Sequence, residues 1–300
     1  MQGFKNIVLG LTMIVFIASC QDVKKPTDTL ATGTIDISVD ETYKPVIEEQ
    51  LKVFDSSYPD AHINIHYKPE AECFKDLFDK KARLILVTRQ LTKDEKDYCE
   101  QKQIVPTDLT LAEDAVAAIV NNASPDSMLG VSEIKGILTG EYKKKYTVVF
   151  DNEGSSTVRY ITDSLLKGQK LAKNVFGAKS NQEVIDYVEK NPDAIGFLGL
   201  MHVSSPEDSS GSGSFIKNVK VVSIYNDSAK RYYEPYQAVI ALKLYPFTRK
   251  LYYIKSENYP GLGTGFANFL TRERGQLIFA HAHLFPLRMN IVIRDAEVNQ

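Results

Sequence analysis

The stretch RLILVTR, residues 83–89, holds four consecutive apolar residues, Leu84-Ile85-Leu86-Val87, and stops at a polar pair, Thr88-Arg89. A strand with one wet face alternates apolar and polar side chains. An unbroken apolar run suits a strand buried on both faces, as in a parallel sheet covered by helices on each side. The neighbouring segments agree. GTIDISVD (33–40) and HINIHYK (62–68) are predicted strands. Between them Thr42 to Tyr58 is a predicted helix, with Ile47, Leu51, Phe54 and Tyr58 on one face, Asp40 or Thr42 as its cap and Pro45 in its first turn. EAECFKDLFDKK (70–81) and TKDEKDYCEQK (92–102) are predicted helices, and DAVAAIVN (114–121) is another buried strand. Strands separated by helices predict an α/β fold with a doubly wound, mostly parallel sheet.

The theme repeats further along. VSEIKGILTGEY (131–142), Ser156 to Lys167 and NQEVIDYVEKN (181–191) read as helices. YTVVF (146–150), AIGFLGL (194–200), VKVVSI (219–224) and KLYYIK (250–255) read as strands. GTGFANFLTRERGQLIFAHAHL (263–284) reads as one long helix, and SSPEDSSGSGS (204–214) as a surface loop. Two α/β units, with ALKLYPFTRKLYY (241–253) as the return crossing, predict two lobes and a cleft. The expected division is 34–112 plus 243–300 for lobe 1 and 113–242 for lobe 2.

The chain has 300 residues, 43% hydrophobic and 25% charged, which is ample for a buried core. A net charge of −2 supplies no basic field for nucleic acid. The run Lys143-Lys144-Lys145 is the only dense basic cluster and reads as a solvated edge. With no Trp, a tryptophan platform for sugars is excluded, although 16 Tyr and 14 Phe remain.

The N-terminus, MQGFKNIVLGLTMIVFIASC, places Lys5 before an apolar run from Ile7 to Ile17. That run is shorter than the roughly 20 residues a spanning helix needs, and fits a secretory signal over residues 1–20. Ile17-Ala18-Ser19-Cys20 resembles a bacterial lipobox, which makes Cys20 the lipidated first residue of the mature chain, followed by a polar tether over 21–33. The resulting expectation is an envelope protein, periplasmic or surface-exposed, anchored to the membrane through lipid. In an exported chain Cys73 and Cys99 are open to either a disulfide or two thiols.

Ligands in open α/β sheets sit beyond the carboxyl ends of strands. That rule selects SVDETY (38–43), VTRQL (87–91) and DNEGSST (151–157). The last offers three hydroxyls, Ser155, Ser156 and Thr157, at a predicted helix start, where free amides and the helix dipole favour an anion. Arg89 offers a fork for an oxyanion, or a salt bridge to a carboxylate. Thr42 and Tyr43 complete the third loop. His281 and His283, two residues apart on a predicted helix, point in different directions and make a poor metal pair; no metal or cofactor is predicted. GLGTG (261–265) reads as a turn before a helix rather than a phosphate fingerprint.

The order of these three loops, with NPDAIGFLGL (191–200) and GQLIFAHAHLFPLR (275–288), resembles the phosphate-binding substrate-binding proteins of ABC transporters, over residues 33–290. The resemblance implies a hinged, two-lobed periplasmic-binding-protein fold of type II that closes on a small oxyanion, most simply phosphate. It also implies delivery to a membrane permease, no catalysis, and a monomer. It assigns Thr42 and Tyr43 to the first helix start, Thr88 and Arg89 to the third-strand loop, and Ser155 and Thr157 to the anion loop. The chain departs from the family pattern at charged positions. Asp151 aligns with the arginine of the anion loop, Glu153 with its aspartate and Ser156 with its second glycine, while KPEAEC brings Glu70 and Glu72 to a loop that is serine- and glycine-rich in the family. Two like charges ~4 Å apart repel by about 4 kcal/mol at an effective dielectric near 20. Arg89 and Arg159 are the expected relief, with pairing of Arg159 to Asp151 or Glu153 as the alternative. A protonated oxyanion, able to donate to a carboxylate, is the easiest fit to such a loop, and a ligand with an amine beside its acid group also fits. A sensor or surface lipoprotein on the same fold is the second reading, and a serine hydrolase using Ser155 the third.

Overall fold

The structure is a computed structural model that describes residues 27–205 and 214–287. Residues 1–26, with the signal segment and Cys20, lie outside the described residues, as do the middle of the Ser/Gly loop and the C-terminal tail. No helix among the described residues is long and apolar enough to cross a membrane.

The first lobe begins β1 (Gly33–Asp40), α1 (Lys44–Ser57), β2 (Ala61–Lys68), α2 (Glu70–Phe78), β3 (Leu84–Val87) and α3 (Lys93–Gln101). The long β4 (Thr107–Val120) leads into the second lobe, with β5 (Met128–Gly130), α4 (Val131–Thr139), β6 (Thr147–Phe150), α5 (Ser156–Tyr160), β7 (Val175–Gly177), α6 (Asn181–Lys190) and β8 (Ala194–Gly199). The strands β9 (Lys220–Val221), β10 (Ser223–Asn226) and β11 (Arg231–Tyr233) follow, then α7 (Gln237–Ala241). The return strand β12 (Thr248–Lys255) brings the chain back to α8 (Leu262–Thr271), α9 (Glu273–His281) and β13 (Phe285–Pro286).

The main sheet runs β2-β1-β3-β12-β4-β8-β6-β7. In the main sheet each lobe contributes a parallel set, β1 with β2 and β3, and β6 with β7 and β8. The long strands β4 and β12 join the halves by antiparallel pairing, β12 to β3 and β4, and β4 to β8. The mostly parallel α/β sheet expected from sequence is therefore present, stitched by two antiparallel strands that pass between lobes.

The run 84–87 does what its composition predicts. Leu84 and Leu86 enter one apolar cluster with Phe54, Phe266 and Phe279, while Ile85 and Val87 enter another with Cys73, Leu77 and Cys99. Successive side chains of a strand face opposite ways, so both faces of β3 are dry. A third cluster, built on β6, β8, α4 and α6, fills the other lobe.

Three elements depart from expectation. The predicted long helix of 263–284 is two helices, because Arg272 adopts an extended conformation (φ −91°, ψ 171°) between them. The helix expected over Ser156–Lys167 is one α-helical turn followed by a π-helix, Ile161–Leu166, ended by Lys167 at φ 50°. The helix expected from Thr42 opens as a 3-10 turn, Glu41–Tyr43, capped by Asp40, with Pro45 in the first turn of α1. GLGTG is a helix start, and its amides are already taken. Asp28 accepts the Leu262 amide at 2.7 Å, and Glu257 accepts those of Gly263 and Thr264 at 3.0 and 2.7 Å.

Cys73 and Cys99 are free, buried thiols. Burial pushes both thiol pKa values up, with nearby acids adding to it. A form lacking residues 1–20 should therefore show no rapid reaction with a thiol reagent at pH 8 and two reactive thiols after unfolding. Zero thiols after unfolding would mean a disulfide instead.

Candidate functional site

The carboxyl ends of β1, β3, β6 and β8 converge where β4 and β12 cross. The key juxtaposition is set by register: Arg249 on β12 lies directly opposite Asp114 on β4. Opposed residues of an antiparallel ladder place their side chains in contact. Arg249 Nε donates to Asp114 Oδ2 at 2.9 Å. Its Nη2 lies 2.9 Å from the same oxygen, at an angle that leaves it without a hydrogen bond. Its Nη1 donates to Ser156 Oγ at 2.9 Å and, at 3.4 Å, to Thr157 Oγ1. The whole residue is 5% exposed. Burial by itself disfavours the charged form, but Tyr43, Asp114 and Asp40 outweigh it and hold Arg249 firmly protonated.

Around this cation stand the residues singled out in the sequence. Thr42 is buried, and its hydroxyl faces Ser156 Oγ at 3.5 Å from the opposite lobe. Tyr43 is buried, kept protonated by burial above all, and donates to Asp114 Oδ2 at 3.0 Å. Ser155 caps α5 by accepting the Val158 amide at 3.2 Å, with the Asp151 carboxylate beside it. Ser156 and Thr157 point at Arg249 rather than merely capping their helix. Thr88 donates its amide and hydroxyl to Glu70 Oε1 at 2.6 and 2.7 Å.

The two arginines expected to supply positive charge divide. Arg89 turns away: its guanidinium forms a fork on Glu95 at 2.6 and 2.7 Å and lies 3.7 Å above the Phe74 ring. Glu95 also completes the capping box of α3, so helix capping fixes this pair. Arg159 does reach the cleft, where it grips Glu70 Oε2 and donates to Thr88 Oγ1 at 2.6 Å. Its other carboxylate is Asp163, at 3.5 Å, and not Asp151 or Glu153.

Arg249, Asp114 and Asp40 are the site residues that sequence reading missed. Arg249 was in view, within the return crossing ALKLYPFTRKLYY. An arginine between Phe247 and Leu251, in a strand of a buried sheet, is the one signal that pointed to it.

The acids sort by burial. Glu72 and Glu153 are exposed, so water screens them. Asp40, Asp114 and Asp151 are fully buried. Burial, followed by the Glu70 charge, raises Asp40 from 3.8 to about 7. Burial raises Asp151 as well, against hydrogen bonds from Ser155 and Asn152 and the charge of Arg249. One oxygen of each is unsatisfied: Asp40 Oδ2, Asp114 Oδ1 and Asp151 Oδ2, with Arg249 Nη2 the unsatisfied donor among them. Leaving a buried polar atom unpaired costs about 1–3 kcal/mol. Four around one cation mark a place that calls for a small group both donating and accepting hydrogen bonds.

The lobes meet closely here. A Cβ on Gly199, at the end of β8, would lie 2.5 Å from Thr42 Cγ2 and 3.0 Å from Arg249 Nη2. Only glycine permits that approach. His202, kept neutral by burial, bonds the Thr42 carbonyl at 2.9 Å, and Asn152 bonds Glu41.

Residues 24–274 match the family model of the PBP superfamily domain. Among characterised proteins, the chain is 20% identical over 253 residues to Protein SphX of Synechococcus elongatus, covering 79% of this chain and 72% of that protein. It is 22% identical over 230 residues to the Phosphate-binding protein PstS of Staphylococcus haemolyticus, covering 72% and 69%. The fold is similar to that of a putative phosphate ABC transporter substrate-binding protein with bound phosphate from Clostridium perfringens. There the TM-score is 0.71 at 21% identity, with 85% of this chain and 100% of that one covered.

Two predictions follow from the charges. Because the folded pKa of Asp40 is raised to about 7 from 3.8, the folded chain holds a proton between those values that the unfolded chain has lost. Its contribution is full below the lower value and falls away as pH rises through the upper one. The stability difference between wild type and Asp40→Asn should therefore move against wild type from pH 5 to pH 8 in urea titrations; a difference constant with pH refutes the assignment. Replacing Arg249 by Met should cost about 3–5 kcal/mol, by stranding Asp114. The double variant Arg249→Met/Asp114→Leu should recover much of that loss, and additive losses would show that the two residues are not coupled.

Proposed function

Since the chain belongs to the PBP superfamily, we propose that it is a solute-binding protein that captures a small oxyanion, phosphate, between its lobes for an ABC transporter permease. The observation that carries this reading is the mixed demand at the cleft. Arg249, Ser156 and Thr157 offer donors, while Asp40, Asp114 and Asp151 hold unsatisfied acceptor oxygens. A hydrogen phosphate meets both, accepting through its bare oxygens and donating through its hydroxyl. Sulfate at neutral pH carries no proton to give and would leave a buried carboxylate facing a second anion. The naming of two relatives for phosphate binding or phosphate transport supports the same solute.

In this reading Thr42, Ser156, Thr157 and Arg249 contact the solute, Asp40 and the solute share a single proton, and Tyr43 and Asp114 hold Arg249 in place. Ser155 acts as a helix cap, and Arg89 is structural. The apolar clusters support a lobe division near 112/113, with Leu111 and Ala112 in the first-lobe cluster and Ala115 in the second. On the return, Tyr245 and Phe247 still pack in the second-lobe cluster and Leu251 in the first, which favours a boundary between 247 and 251 over one at 242/243. Cys20, with the apolar run before it, supports a lipid-anchored protein of the cell envelope, displayed in the periplasm or on the surface. A monomer serves this role, with capture by hinge motion about β4 and β12.

Calorimetry at pH 5.5 and 8 tests the reading. Phosphate should bind at micromolar Kd or tighter at pH 5.5 and more weakly at pH 8, where Asp40 is ionised; sulfate should give no heat. Ser156→Ala should weaken phosphate about tenfold or more, the loss of one hydrogen bond to a charged group. Equal binding of the two anions, or none of either, would remove phosphate as the solute.

A further inference from the structure

Glu70 follows β2 and opens α2, and only 2% of it is exposed. It is held as a bound oxyanion is held. The Thr88 amide and hydroxyl donate to Oε1 at 2.6 and 2.7 Å, and Arg159 grips Oε2. A second nitrogen of Arg159 donates to the Thr88 hydroxyl at 2.6 Å, so the three donors form one connected cradle. Backbone amide, hydroxyl and guanidinium together are the donor set that proteins present to carboxylates and phosphates. Thr88 belongs to the first lobe and Arg159, on α5, to the second. The cradle therefore spans the cleft, and the anion inside it is part of the chain.

We propose that Glu70 is an internal anion that fills the Thr88–Arg159 cradle, draws the lobes together with no solute present, and restricts the solute to the inner position at Arg249, Ser156 and Thr157. This deepens the oxyanion reading of the cleft and rests on it. A carboxylate covalently tied to the cradle acts at a local concentration on the order of millimolar or higher. A free solute with a second anionic group meets that competitor at every encounter, so the cleft selects small, singly seated oxyanions. The other bridges between lobes have the same self-sufficient character: Thr42 to Ser156, His202 to the Thr42 carbonyl, and Asn152 to Glu41. A solute then adds its contacts to a cleft that is already shut, and its uptake requires the Glu70–Arg159 pair to part.

Small-angle scattering of the full chain, with and without inorganic phosphate, tests this directly. Wild type should be compact without phosphate and unchanged by it. Glu70→Ser should expand without phosphate and contract when it is added, with phosphate affinity raised about tenfold or more. Arg159→Ala attacks the same pair from the other lobe and should also expand; an unfolding melt on each variant separates opening from misfolding. If ligand-free wild type is as expanded as Glu70→Ser and contracts on phosphate, the proposal is overturned. If phosphate binds wild type and Glu70→Ser equally and their ligand-free shapes agree, the internal anion is wrong and the phosphate reading stands. If no form binds phosphate but Glu70→Ser and Arg159→Ala still expand, the internal closure stands and phosphate is the wrong solute.

Discussion

A buried guanidinium needs an equally buried partner, and in this protein that requirement organises the centre of the molecule. Arg249 and Asp114 face each other across the ladder of the two strands that run between lobes. The pair sits where the main sheet passes from one parallel set to the other. Tyr43 braces it from the first helix, and Gly199 leaves it room from β8. Without that cation, Asp40, Asp114 and Asp151 would share a dry space with nothing to balance them, at a cost far above that of one ion pair. With it, Asp40 is left near neutrality and the hydroxyls of Ser156 and Thr157 have a charged group to answer.

The same economy recurs across the structure. At three places where the fold presents free amides or an arginine fork, a carboxylate of the chain closes on it. Glu257 and Asp28 take the amides at the start of α8. Glu95 takes Arg89 and the Thr92 amide. Glu70 takes Thr88 and Arg159. A net charge of −2 conceals this: these acids sit at donors, while others such as Glu72 and Glu153 stay exposed. The loop 151–157 belongs to that pattern, since Asp151 accepts the Asn152 amide. Positive charge enters the cleft from Arg249 on β12 and Arg159 on α5.

Closure and capture are then separable. The inner cluster around Arg249 holds unsatisfied polar atoms, the ones assigned to the solute in the proposed reading. The outer cluster around Glu70 is already satisfied and works mechanically, as a bridge between lobes. Among the described residues no direct hydrogen bond joins the two, but the Glu70 charge, after burial, raises the proton affinity of Asp40 through space. A change at the bridge is thus felt at the inner position as charge.

The sequence by itself determined the fold class, because periodicity and burial are local properties. The run 84–87 suited a strand dry on both faces, and the alternation of strands and helices argued for a wound sheet. It also determined which loops meet, since strand ends share one side of a parallel sheet, and so it placed Thr42, Thr88, Ser156 and Thr157 together. Which charges act on those loops was decided by the tertiary structure. Arg89 and Arg159 looked alike as fork-bearing residues near strand or helix ends, yet helix capping claimed the first and a carboxylate from across the cleft claimed the second. Arg249 lies 92 residues from Thr157 and 135 from Asp114 along the chain. Its role depends on strand register and on the crossing of β4 with β12. An electrostatic partner is chosen by distance and burial in space, and no local pattern in the chain records either.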